Sequence, residues 1–327
     1  MADIAEFLAR HGDGGQLTDV LEQGLRYADT PAARAAYELS RGSVEFFVGS
    51  LDEAITAFGA GRDAAEEAGD HILTAQLDSW LGVALRHAGD TAAALEPLER
   101  ASRLPMSDQV SREIVMGAVF HLGLAACYLN DIAAAEEAVA LTEERLREDD
   151  PSLWWANLAD LRTLVALLRG DYTRALAEVE RGIASYADSP NQDNIGYLIN
   201  VRGLVLLAQG RTSEAAREFT AVREAAAALR YARLEGFAAL NLAWIQLSEG
   251  NRLAAAATAR EAADLLASNR VREAESARAL AAAAEAGEVD AILQGLHLAV
   301  SVSQGNPDLY QPSNEVLADL ARGQAKA

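Results

Sequence analysis

Few side chains in this sequence stand where they could do chemistry together. The five histidines are His11, His71, His87, His121 and His297. No two of them share a helical face at a spacing that would hold a metal ion. The single cysteine, Cys127, lies six residues from His121, which sets the pair on poorly matched faces. Glutamate pairs such as Glu66-Glu67 and Glu136-Glu137 are adjacent, and adjacent side chains on a helix point apart. They cannot share a proton as an acid–base dyad must. A phosphate-binding loop, a dinucleotide fingerprint, a GxSxG elbow and an HExxH zinc motif are all absent. The expectation is a non-enzymatic protein with no catalytic residue, metal or cofactor. Trp154-Trp155 reads as a packing residue with a partly exposed neighbour.

Composition narrows the class of partner. The 327 residues are half apolar, include only 7 prolines and carry long alanine runs, which favours an all-helical protein. A formal net charge of −21 argues against binding nucleic-acid phosphates, which needs clustered Lys and Arg. It equally disfavours anionic membranes. Among 28 basic residues only Lys326 is a lysine. One cysteine excludes an internal disulfide and a cysteine-built zinc site, and suits a reducing compartment. The start, MADIAEFLARHGDGG, carries Asp3 and Glu6 and lacks a basic stretch followed by an apolar core, so no secretory signal is expected. No window reaches 18 uninterrupted apolar residues, so no membrane-spanning helix is expected. The expected location is the cytoplasm, and the expected partner is another protein.

The elements that must position any binding residue are helical hairpins. Residues 81–101, LGVALRHAGDTAAALEPLERA, read as two helices joined by a turn at Gly89-Asp90. Leu81, Leu85, Leu95 and Leu98 form an apolar stripe at helical spacing, and Gly82 and Ala94 allow a close approach of the two helices. One hairpin cannot bury its apolar face alone. The turn residues Gly49, Gly89, Asn130, Gly170, Gly210, Gly250 and Gly287 recur at separations of 40, 41, 40, 40, 40 and 37. Five positions after each stands a small residue, Ala54, Ala94, Ala135, Ala175, Ala215 and Ala255, with Ile292 as the exception. Seven before each stand Gly42, Gly82, Gly123, Thr163, Gly203, Ala243 and Leu280. Asn130 fits the turn because asparagine also tolerates the left-handed conformation.

This pattern resembles the tetratricopeptide repeat. Leu81-Gly82, Gly89-Asp90, Ala94, Leu98 and Ala101 match its offsets, as do Gly170-Asp171-Tyr172, Ala175 and Val179. The usual period is 34 residues; the period of about 40 is similar to that of large bacterial signal-transducing regulators of the maltose-regulator type. The resemblance implies an all-α solenoid of tandem helix-turn-helix repeats in a right-handed superhelix. The expected units are capping helices over 1–30, then repeats over 31–69, 70–104, 105–148, 149–188, 189–229, 230–268 and 269–303. A C-terminal cap helix and frayed tail are expected over 304–327. Thr30-Pro31 and Asp150-Pro151 place proline at a first helical turn behind a capping residue. Pro97 falls inside a second helix, at a cost of about 3 kcal/mol or a kink, but the register survives on both sides.

In this family the first helices line a concave groove, and four columns of side chains face the ligand. Carried over, those columns include Arg86 in repeat two and Asn157 and Asp160 in repeat four. Repeats five and six supply Tyr197 and Asn200, then Phe237 and Trp244. With the neighbouring Asn241, the last two repeats form the expected main partner-binding surface. Arg86, His87, Asn157 and Asp160 form a second patch. Asparagine offers two donors and an acceptor to a peptide backbone, and the aromatics offer anchoring area. The acidic chain favours a partner peptide or helix bearing Arg or Lys. The family's carboxylate clamp needs groove lysines and is not expected. The columns also read as an ordinary apolar helical face, with polar residues such as Arg41, Arg162 and Arg202 opposite, where the family pattern buries its residues. Core and groove are both open for the apolar members. The alternative role is a ligand- or peptide-responsive regulatory subunit that acts through a partner, ahead of an enzyme on a helical solenoid.

Overall fold

The computed structural model describes residues 21, 24–48, 50–186, 195–229, 231–267 and 273–287. All regular structure among them is helical. In chain order the helices are α1 (Pro31–Val48), α2 (Leu51–Ala68), α3 (His71–His87), α4 (Thr91–Ser102) and α5 (Gln109–Tyr128). They continue with α6 (Ile132–Arg145), α7 (Ser152–Leu168), α8 (Tyr172–Ser185) and α9 (Ile195–Ala208). The last are α10 (Thr212–Ala228), α11 (Ala232–Ser248), α12 (Arg252–Ala267) and α13 (Glu273–Ala286). Contacts divide the chain into two compact units, Met1–Ala125 and Ala126–Ala327. In the first, α1 packs on α2, α2 on α3 and α3 on α4. In the second, each helix from α6 to α13 packs on the next, and the first helices α7, α9, α11 and α13 also touch in succession. The capping helices expected over 1–30 lie mostly outside the described residues. So do the second helix of repeat seven and the cap over 304–327.

The turns form as their residue types dictate. Gly89, Gly170, Gly210, Gly250 and Gly287 have φ of 89°, 71°, 74°, 79° and 71°, and Asn130 has φ 57°. At the Gly89 turn the Gly89 amide donates to the Arg86 carbonyl and the Asp90 amide to the Leu85 carbonyl, both at 3.0 Å, which satisfies the last carbonyls of α3. Asp90 then accepts from the Ala93 amide at 3.2 Å and caps α4. Asp131 and Asp171 cap α6 and α8 in the same way. Where the fifth repeat has Arg211 at this position, the cap has no side-chain bond, and Arg211 pairs instead with Glu214 at 2.7 Å.

The two proline boundaries behave differently. Thr30 accepts from the Ala33 amide at 3.2 Å, so it caps α1 with Pro31 in the first turn. Asp150 accepts from the Arg147 amide at 2.7 Å, folding back on the preceding loop, and Pro151 itself takes the cap position of α7. Pro97 is buried and α4 runs through it.

In three hairpins a glycine on the first helix faces a bulky residue sixteen positions later. A Cβ built on Gly42, Gly82 or Gly203 would lie 2.5, 2.4 or 2.5 Å from Phe58, Leu98 or Phe219. Ala54, Ala94, Ala135, Ala175, Ala215 and Ala255 all have zero exposure. The register expected from the sequence therefore sits at the helix–helix contacts. Helix α5 is apolar enough over its length to cross a membrane, with a mean hydropathy of 1.4, yet 67% of that window is buried inside the protein. It is a core helix by that measure, its first half packing Ile114 and Ala118 against Ala75 and Ala101.

The arginines that stood in conflict with the family pattern are half-buried. Arg41 is 24% exposed, and Arg162 and Arg202 are each 25%. Arg202 pairs with Glu218 at 2.8 Å on the second helix of its own hairpin. Arg162 pairs with Glu143 at 2.7 Å on the preceding helix and approaches the buried Glu178 at 3.9 Å. The apolar stems cover the core while the guanidinium groups reach carboxylates at its rim.

Overpacking tests the helix contact. Ala215→Leu should destabilise the protein by about 1–3 kcal/mol, and Gly82→Leu, forced against Leu98, should do so as well. Urea melts measure both. Unchanged midpoints for the pair would show that the helices do not approach this closely.

Candidate functional site

Helices α9 and α11 carry the main expected site, and both are apolar on nearly every side, which is the composition of a buried helix. Tyr197 is half-buried on α9, its ring edge-on to Tyr231 at 6.1 Å. Phe237 is half-buried on α11, against the apolar cluster built by α11, α12 and α13. Trp244 belongs to that cluster and is 6% exposed. Asn200 is 9% exposed, and its Oδ1 accepts a 3.1 Å hydrogen bond from Asn241 Nδ2. Asn241 is half-buried. The amides thus join the first helices of two successive repeats.

Two of these residues are buried in the free chain. Trp244 is a core residue of the free chain, because α12 and α13 complete an apolar cluster around it. Asn200 is buried, and its carbonyl oxygen accepts from Asn241. The neighbouring column leucines, Leu204, Leu240 and Leu247, are buried too, which settles them as core. Tyr197, Phe237 and Asn241 keep partly accessible surface.

In the first unit, Arg86 and His87 form the last turn of α3. Arg86 Nη2 lies 3.0 Å from His87 Nε2. A guanidinium only donates, so a hydrogen bond between them requires an unprotonated Nε2. Phe46 meets the His87 ring edge-on at 5.4 Å and Trp80 at 5.6 Å, and Trp80 stacks on Phe58 at 5.9 Å. Sequence reasoning missed this aromatic cluster. The signal for it was the repeat length: 41 residues separate Phe46 from His87, as they separate Asn200 from Asn241. The Asp78–Arg100 pair was also missed. Asp78 is 2% exposed and receives two bonds from Arg100, at 2.6 and 3.0 Å. This hydrogen bonding raises the Arg100 pKa, against the opposing effect of burial.

Asn157 and Asp160 are half-buried on α7, in the second unit. Burial, and then the charge of Asp160, push the Cys127 thiol up to about 12. In the first unit, burial, and then the charge of Arg86, hold His121 down at about 3; its Nδ1 is sealed and has no hydrogen-bond partner. Among the described residues, no three or more His, Cys, Asp or Glu side chains group as they would to hold a metal. Trp154 is half-buried and Trp155 is 40% exposed. What these surfaces offer a partner is amide hydrogen bonding and aromatic area.

No family model matches the chain, and no curated protein matches it. Among solved structures it is similar to a crystal structure of a Signal Transduction ATPase with Numerous Domains (STAND) protein with a tetratricopeptide repeat sensor, from Pyrococcus horikoshii. The identity is 16%, the TM-score 0.53, and the match covers 93% of this chain and 48% of that one. This chain therefore spans about half the length of that protein. The likeness identifies the fold as an all-α solenoid of tandem tetratricopeptide-like repeats.

Two measurements test the buried ionisable groups. The folded pKa of His121 lies below the ordinary 6.5, so below about pH 6.5 the unfolded chain binds a proton that the folded chain refuses until about pH 3. Stability should fall across that window through this residue, by no more than about 1.4 kcal/mol per pH unit. His121→Leu should flatten the pH dependence of the melting temperature there, and an unaltered profile would count against a half-buried imidazole held neutral by the fold. Cys127 should resist thiol reagents at pH 8 in the native chain and react fully once it is unfolded in urea. Rapid native labelling would show that the thiol is accessible.

Proposed function

We propose that this chain is a non-enzymatic interaction module of the cytoplasm, an adaptor whose first helices hold a peptide or helix of a partner protein. The observation that carries the reading is the half-buried Asn241, oriented by its bond to Asn200 on helices that also carry the half-buried Tyr197 and Phe237. An amide held in place has less freedom to lose on binding, and it keeps a donor and an acceptor for a peptide backbone. Aromatic side chains that are already partly packed supply anchoring area at low entropic cost. Trp244 and Asn200 support this surface from beneath. Asn157 and Asp160 extend the surface on α7, and Arg86 with His87 forms a separate patch in the first unit. The charge of −21 favours a partner segment bearing Arg or Lys, with association that slows as salt rises.

A second reading is a ligand- or peptide-responsive regulatory subunit that acts through a partner. It is favoured by the similar solved structure, whose tetratricopeptide repeats are described as a sensor, and by the 40-residue period shared with regulators of the maltose-regulator type.

Phage-displayed random peptides selected on the whole chain test the binding surface. Selected sequences should be enriched in Arg and Lys, and binding should weaken as salt is raised from 50 to about 300 mM. Phe237→Ala or Tyr197→Ala should cost about 2 kcal/mol of affinity if these residues anchor the peptide, with circular dichroism confirming that the variants remain folded. Folded variants that bind selected peptides as tightly as the parent would refute this site.

A further inference from the structure

We draw no further inference here: the strongest candidate, the cluster of Phe46, Phe47, Trp80, Arg86 and His87 on α1 and α3, packs its side chains on one another, and nothing in the structure shows what would cover it.

Discussion

In three hairpins the first helix offers a glycine to a bulky residue sixteen positions later, and the close approach of the two helices depends on this exchange of volume. Gly42 receives Phe58, Gly82 receives Leu98, and Gly203 receives Phe219. At the same positions the fourth repeat carries Thr163 and Val179 and the sixth carries Ala243 and Ala259, all buried. There the first residue is larger than glycine, and its counterpart is smaller than leucine or phenylalanine. Close packing requires such compensation, since an interior tolerates neither a void nor an extra methylene without cost. The left-handed turn residue and the aspartate after it then fix where the second helix begins. The alanine five positions beyond the turn is fully buried in repeats one to six.

Helices held this closely leave little room for polar groups, and the structure places those it has at defined edges. Arg162 and Arg202 run their stems along the core and end on glutamates. Asp78 is nearly sealed, yet Arg100 meets both of its oxygens. A carboxylate buried without such a partner would be costly. The amide pair of Asn200 and Asn241 follows the same logic across a repeat boundary. Asn200 could not occupy a 9% exposed position cheaply without a donor for its oxygen, and the next repeat provides one. These polar links bear on specificity of register more than on stability, because a slip of one helical position would leave each of them unpaired.

The repeat architecture was legible because it is written in backbone requirements. A left-handed residue must be glycine or asparagine, a helix cap favours aspartate, and a tight contact excludes large side chains. These constraints recur every 40 or 41 residues and survive great variation elsewhere. The candidate site was less legible, and Trp244 shows why. Its column faces a ligand in a tetratricopeptide groove, while the same spacing describes a buried apolar stripe. Periodicity along one helix cannot separate the two, because α11 is apolar on nearly every side and the neighbours that bury Trp244 come from α12 and α13. Asp78 escaped notice for a related reason: its partner lies 22 residues away on another helix.

The repeat length itself carries information that single-helix patterns lack. Residues 41 apart lie on successive first helices, so a pair of compatible side chains at that separation can meet. Asn200 and Asn241 do so through a hydrogen bond, and Phe46 and His87 through their rings. Such pairs tie a repeat to its successor. On the binding role proposed above, a ligand that engages Asn241 would also bear on the bond that orients it, which would couple binding to the stability of that repeat boundary. In a solenoid, where each repeat is stabilised chiefly by its neighbours, such coupling would let a ligand on two first helices strengthen the boundary between them. Adaptor and sensor then share the chemistry of the surface and differ in the use made of the strengthened boundary: an adaptor simply holds its partner there, whereas a sensor passes the change on to a second protein.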